Sequence, residues 1–225
     1  MITAVTTCMG RREHLEASLP LMLEEFDDVV MVDWSCPQAS GDFASAMGAR
    51  VVRKFDQKYF SAPKARNLGA KQVKTRSICF IDADTLVNPG TAKQIESLLD
   101  LSSMVIAPRR PNNIDVPNLV GFLAVDIGQF WGVNGYNESL TGYGLEDCYL
   151  RAQLLLERGL APKRLSLDAL GAIQHSNELR GKYFKEPIEV AGKRNHEILL
   201  AYLRGHGIRD WITDPRTADI AYRNQ

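Results

Sequence analysis

Ile78-Cys79-Phe80-Ile81-Asp82-Ala83-Asp84 joins an unbroken apolar run to two carboxylates spaced i, i+2. A run of that length and composition reads as a strand buried on both faces, so the acids emerge together at its carboxyl edge. Ligands of open α/β sheets collect outside the carboxyl ends of the strands, where a hard divalent cation would take oxygen ligands and bridge to phosphate. Asp-x-Asp also occurs on ordinary solvated turns, so its weight comes from its context. The turn residues Asn88-Pro89-Gly90 follow, and then a helical pattern through Ile95, Leu98 and Leu99. The acid pair therefore caps a strand that leads into a helix.

The same alternation extends outward from this strand. Strands are expected at Ile2–Thr7, Val29–Val32, Arg50–Arg53, Ser77–Ile81 and Met104–Ala107. Between them, Leu15, Leu19, Met22, Leu23 and Phe26 share a helical face, with Pro20 starting or kinking part of it, and Ala62–Lys74 reads as a helix with Pro63 in its first turn. Strands alternating with crossover helices predict an α/β fold, a single Rossmann-like, mostly parallel sheet with helices on both faces. Beyond Pro108 the pattern becomes α+β: a strand at Val120–Val125, a helix at Glu146–Glu157 capped by Gly159, and a late helix from Val190 to Leu203 packing on the outside. At 225 residues the chain is expected to be one domain, with 1–107 as its α/β half, 108–187 as its α+β half and 188–225 as a helical extension.

Composition narrows the partners. Lys plus Arg and Asp plus Glu are both 27, so no global field draws in nucleic acid, and any phosphate site must be local. Neither a signal-peptide pattern nor a bilayer-length apolar run is present, and a cytoplasmic protein is expected. Cys8, Cys36, Cys79 and Cys148 lack the close spacing of a zinc site and read as small buried thiols.

Two further segments carry chemistry. Gly142-Tyr143-Gly144-Leu145-Glu146-Asp147 is a glycine turn delivering two acids to the first turn of a helix. Acids there commonly just complement the helix dipole, but beside a pocket a carboxylate can take a proton from a hydroxyl. His175 ends the apolar segment Leu170–Ile173, and a neutral imidazole is a good ligand for Mn2+ or a similar ion. His14, His196 and His206 sit in helical or polar stretches and read as ordinary histidines.

In this order the three segments resemble the GT-A glycosyltransferases, particularly the C-terminal half of the β-1,4-galactosyltransferases and related bacterial family 2-like polysaccharide synthases. The likeness covers about residues 1 to 187. Thr7 and the turn Met9-Gly10-Arg11-Arg12-Glu13-His14-Leu15 look like the family's first strand-to-helix turn, where Arg11 would help hold the nucleotide. Asp33-Trp34 resembles its uracil-recognising position, and Phe60 to Gly69, with Arg66 and Asn67, the segment along the nucleotide-sugar. Val133-Asn134-Gly135-Tyr136 through Glu146-Asp147 resembles the acceptor loop and catalytic acid pair.

The resemblance implies Asp84 as metal ligand, Asp82 on the ribose or metal with Ala83 beside it, and His175 completing the ion's protein shell. Asp147 would be the general base and Glu146 would orient hydroxyls. It further implies Mn2+ or Mg2+, a UDP-sugar donor, and transfer of a hexose or N-acetylhexosamine to a saccharide with inversion, the acceptor being soluble or at a membrane surface. Tyr143 stands where the galactosyltransferases carry a stacking tryptophan, and Leu145 where they place a second glycine. Two rivals remain open at this stage. A pyrophosphorylase-type nucleotidyltransferase would share the sheet and the metal carboxylates, and a noncatalytic sugar-binding module could share the fold.

Overall fold

The computed structural model describes residues 1–110, 116, 119–174, 176–211, 214 and 217. Four of the main sheet's seven strands are mutually parallel neighbours: β1 (Ile2–Cys8), β2 (Asp28–Trp34), β3 (Arg50–Lys54) and β4 (Ser77–Phe80). They are joined by α1 (Arg12–Glu25), α2 (Ser40–Ala46) and α3 (Ala62–Ala70). Then come β5 (Thr85–Val87), α4 (Thr91–Leu98), β6 (Ser103–Ile106), β7 (Leu123–Asp126), α5 (Ile127–Gly132) and α6 (Glu146–Arg158). The remaining elements are β8 (Ala161–Arg164), β9 (Leu170–Ala172), α7 (Asn177–Gly181) and α8 (Ile188–Gly205).

The seven-stranded sheet has the order β3-β2-β1-β4-β7-β6-β8, with β7 antiparallel to both neighbours and the other pairs parallel. Alternation along the strands divides the core. Ala4, Met31, Cys79 and Val105 meet Leu15, Leu19 and Met22 of α1 and Ile95 of α4 on one face. Val5, Val30, Ile78, Phe80 and Val125 meet Phe130 of α5 and Leu150 and Leu154 of α6 on the other. This is the mostly parallel α/β arrangement expected from the sequence.

β2 and β3 lie to one side of β1 and β4 to the other, which creates a topological switch point at β1. The crevice lies at the carboxyl ends of β1 and β4, beside Thr7 and Asp82. A two-stranded ribbon follows Asp84: β5 pairs antiparallel with β9, and the Ile173 N–H donates to the Asp84 carbonyl at 2.8 Å.

Several boundaries differ from expectation. The strand expected from Val120 begins at Leu123, because Val120 and Gly121 turn beneath Asp82. The helix expected to reach Lys74 ends at Ala70, where Gln72 and Val73 donate to the Gly69 and Ala70 carbonyls in tight turns. β5, β8 and α5 are too short for hydrophobic period to announce them. The late helix expected on the outside is α8, and it packs there: Leu199 and Leu203 meet Cys148 and Ala152 of α6, and its first turns, through Ile188, Glu189, Gly192 and Lys193, also face the crevice. No helix among the described residues is long and apolar enough to cross a membrane.

Candidate active site

A cavity of about 590 Å³ occupies the crevice, within the size range of small-molecule sites. Thr7, Met9 and Arg11 line it from the end of β1, Asp82, Ala83 and Asp84 from the end of β4, and Glu146 and Asp147 from the start of α6. Phe60, Tyr143, Tyr183 and Phe184 form an aromatic rim, with Phe184 against both Phe60 and Tyr143 at centroid separations of 6.0 and 5.8 Å.

Arg66 organises the acids. The residue is 5% exposed, and its guanidinium donates to Asp82 Oδ1 at 2.6 Å, Glu146 Oε1 at 3.1 Å and Asp147 Oδ1 at 3.0 Å. The Tyr136 ring lies 5.2 Å from the guanidinium carbon, and its hydroxyl donates to Asp147 Oδ1 at 3.2 Å. One buried cation thus links the strand-end acid to both acids of the helix. Burial works against the charged guanidinium, but the carboxylates of Asp147 and Asp82 keep it firmly protonated.

Asp147 has the opposite balance. Burial raises its carboxyl to about 7 against the pull of Arg66, with the negative charges of Glu146 and Asp82 adding to the rise and Arg151 opposing it. The turn before it is strained: Gly142 and Gly144 have φ of +75° and +96°, and Leu145 has φ of +71°, a region costly for a branched side chain. That kink starts α6 with Glu146 and Asp147 aimed at Arg66 rather than at the helix's own N–H groups.

Thr7, Arg11, Arg66, Asp82, Ala83, Asp84, Glu146 and Asp147 all line the cavity. Ala83 also fixes its own turn, its carbonyl accepting from Ser18 Oγ at 2.7 Å. Two sequence candidates face elsewhere. Asp33 accepts from the Cys36 and Gly41 N–H groups at 2.7 and 3.1 Å, so both of its oxygens brace the β2–α2 turn. Asn67 Nδ2 donates to the Tyr136 carbonyl and Glu138 Oε1, and the Tyr136 N–H donates to Asn67 Oδ1, so the amide fastens the loop that carries Tyr136. His175 lies outside the described residues. The chain leading to it is the β9 segment hydrogen-bonded to Asp84.

Four further residues shape the site without having been expected from the sequence: Gly121, Arg151, Glu189 and Lys193. Gly121 lies so close to Asp82 that a Cβ there would sit 2.1 Å from Asp82 Oδ2. Arg151, one helical turn beyond Asp147, donates to the carbonyls of Val120 and Phe122 and so holds that glycine in place. Glu189 and Lys193 of α8 border the cavity. An acid at the end of a buried strand requires something small to pass beneath it, and that was the available signal for Gly121.

The cavity's donor set suits a hard cation. Five acidic side chains line it against the three cations Arg11, Arg66 and Lys193, all the acids are oxygen donors, and Asp82 remains one-third exposed while bound to Arg66. No group of three or more His, Cys, Asp or Glu able to hold a metal occurs among the described residues.

No protein-family model and no curated protein matches the chain. Solved structures do. Residues 1–349 of TarS from S. aureus, in complex with UDP-GlcNAc, superpose with a TM-score of 0.68 at 14% identity, covering 88% of this chain and 66% of that one. Glucosyl-3-phosphoglycerate synthase from Mycobacterium tuberculosis, in complex with Mg2+ and UDP, gives 0.65 at 15% identity over 93% of this chain and 80% of that one. The mannosyltransferase PcManGT from Pyrobaculum calidifontis, with GDP-Man and Mn2+, gives 0.64 at 14% identity over 91% and 75%. The fold is that of the GT-A glycosyltransferases. The chain spans just under two thirds of the TarS chain it matches.

Proposed function

We propose that this protein is a metal-dependent glycosyltransferase that moves a hexose or N-acetylhexosamine from a UDP-sugar to a saccharide hydroxyl with inversion. One observation carries the reading: Arg66 gathers the strand-end acid Asp82 and the helix-start acids Glu146 and Asp147 around one cavity at the sheet's switch point. The structures of similar fold contain UDP-GlcNAc, UDP with Mg2+, and GDP-Man with Mn2+ in their own complexes, which supports a nucleotide-sugar donor here.

Thr7 and Arg11 at the end of β1 would meet the nucleotide, with Ala83 and Asp82 beside the ribose. Asp33 would act through the turn it braces, and Asn67 through the Tyr136 loop. Asp84 and Asp82 would hold Mn2+ or Mg2+, with His175 as a third ligand. When bound, the metal would neutralise charge on the departing diphosphate, which a cavity with excess acids cannot do unaided.

Asp147 is suited to accept the acceptor's hydroxyl proton, because a carboxyl titrating near 7 has the basicity a general base needs at neutral pH. Arg66 and the Tyr136 hydroxyl hold it in position, and Glu146 is placed to orient hydroxyls. The aromatic rim of Phe60, Tyr143 and Phe184 offers apolar faces to a sugar ring. The residues 1–107 would then serve the donor and 108–187 the acceptor, with 188–225 as an extension whose α8 helps close the cavity.

A panel of nucleotide-sugars tested by thermal shift with and without Mn2+, followed by assay of UDP release with saccharide acceptors, tests the reading. UDP release that needs both acceptor and metal is expected, with Asp147→Asn abolishing transfer while UDP still binds. Pyrophosphate release from UTP and a sugar phosphate would instead identify a nucleotidyltransferase, and sugar binding without turnover a binding module.

A further inference from the structure

Cys8 ends β1 and Cys36 lies two residues beyond β2, and the parallel register that sets Cys8 beside Asp33 brings the two thiols together. Their sulfurs are 4.0 Å apart, and Ser40 Oγ lies 3.3 Å from Cys8 Sγ and 2.9 Å from Cys36 Sγ. The Gly10 N–H donates to Cys36 Sγ at 3.1 Å. Cys8 is buried, whereas Cys36 is partly open to solvent. We propose that Cys8 and Cys36 form a redox-active dithiol, oxidised by hydroperoxides to a disulfide that grips the turn at the cavity's edge.

The environment divides the roles between the two sulfurs. The hydrogen bond shared with Cys8, together with those from Ser40, Gly10 and Gln38, holds Cys36 down at about 5 despite its burial, so it carries the thiolate, while Cys8 is raised and keeps its proton. The Cys36 thiolate attacks a peroxide oxygen, the O–O bond breaks to leave sulfenic acid on Cys36, and the departing alkoxide or hydroxide takes a proton from solvent, the one Cys36 released on ionising, to leave as alcohol or water. Cys8 sulfur then attacks the sulfenic sulfur, the S–O bond breaks, and hydroxide leaves with the Cys8 proton as water. Two thiols have lost two electrons and the peroxide has gained them. Ser40 Oγ, touching both sulfurs, is placed to pass the proton.

Bond formation must bring the sulfurs to about 2.05 Å, which draws Cys36 away from the Gly10 N–H. The Asp33 carboxylate fixes the start of the β2–α2 turn through the Cys36 and Gly41 N–H groups, so much of the movement falls on the β1–α1 turn. Met9 and Arg11 of that turn line the cavity. The dithiol therefore couples oxidation to the wall of the site, a consequence that rests on the nucleotide reading above, whereas disulfide formation itself does not.

The test is titration of the full chain with hydrogen peroxide, followed by thiol counting in denaturant and peptide mass mapping. Thiols should fall from four to two, with the Cys8 and Cys36 peptides linked, two hydrogens lost, and full recovery in dithiothreitol. Cys36→Ser should resist this loss, Cys8→Ser should leave a dimedone-reactive sulfenic acid on Cys36, and Cys79→Ser should behave as wild type apart from its missing thiol. Four surviving thiols, or irreversible oxidation of Cys36 with Cys8 still free, would overturn the dithiol. UDP affinity in Mn2+ should weaken on oxidation and return on reduction. A disulfide that forms without changing UDP affinity would overturn the coupling. Absent UDP binding in both states would count against the proposed function and leave the thiol count to judge the dithiol.

Discussion

Arg66 and Asp147 are 81 residues apart in sequence, yet Arg66 Nη1 lies 3.0 Å from Asp147 Oδ1 in the wall of the cavity. The same guanidinium holds Asp82 and Glu146, so the charge balance of the site depends on one side chain. Removing one partner of a buried ion cluster costs far more than the cluster contributes to stability, because the charges left behind are uncompensated.

Replacing Arg66 with methionine keeps much of the volume and leaves three carboxylates without their cation. Urea denaturation at pH 8 should show a loss on the order of 3 kcal/mol, shrinking toward pH 5 as the freed carboxyls take up protons. A midpoint unchanged at both pH values would mean that Arg66 does not organise the cluster.

The raised carboxyl of Asp147 sets a pH dependence. Its folded value of about 7 lies above the ordinary 3.8, so the folded state holds an extra proton between them. The resulting stabilisation is full below the ordinary value and is lost as pH rises through about 7. Asp147→Asn removes this slope, so its melting temperature relative to wild type should climb between pH 4 and 7 and level off above 8. The proposed transfer should run the other way in wild type, kcat/KM rising through the same window as the base ionises. Matching slopes for variant and wild type would relocate the titration to another group.

Gly121→Ala tests the close approach beneath Asp82. A Cβ at 2.1 Å from Asp82 Oδ2 and 3.1 Å from Arg66 Nη2 must displace the carboxylate. The expected result is UDP affinity in Mn2+ reduced about tenfold, about 1.4 kcal/mol, as measured by calorimetry. Wild-type affinity would show that Asp82 is free to shift without consequence.

Asp84→Ala should weaken UDP binding about tenfold in Mn2+ and leave it unchanged in EDTA, because a metal ligand acts only through its ion. Equal weakening under both conditions would remove Asp84 from any metal shell and point to a structural role at the β5–β9 ribbon.

Asn67→Ala should cost about 2 kcal/mol, since three hydrogen bonds to the Tyr136 loop are lost from a buried amide. Thermal and urea unfolding would read it. A neutral result would show that the loop is held by Tyr136 packing alone.

Much of the fold was legible because burial imposes period. Alternating apolar residues in β1, β2 and β4 had to face helices on two sides, and the Leu15–Leu19–Met22 stripe had to cover one of them. Asp82 and Asp84 could be placed at a strand edge for the same reason. Arg66 was singled out by resemblance, but its three carboxylate partners have no local signature, nor does Asn67's hold on Tyr136. The apolar stripe of α8, Leu199 and Leu203, revealed that it packs on the outside but not that its first turns border a cavity.

By itself the sequence determined the layers, the order of β1 to β4 with α1 and α3 between them, and the strand edge that carries Asp82 and Asp84, because periodicity and turn composition are local properties of the chain. Only the tertiary structure decided that β7 runs antiparallel between β4 and β6, that one buried guanidinium gathers acids from two distant segments, and that Cys8 and Cys36 stand 4.0 Å apart. Those outcomes depend on which elements become neighbours, and electrostatic and sulfur contacts act over a few ångströms of space regardless of their separation along the chain.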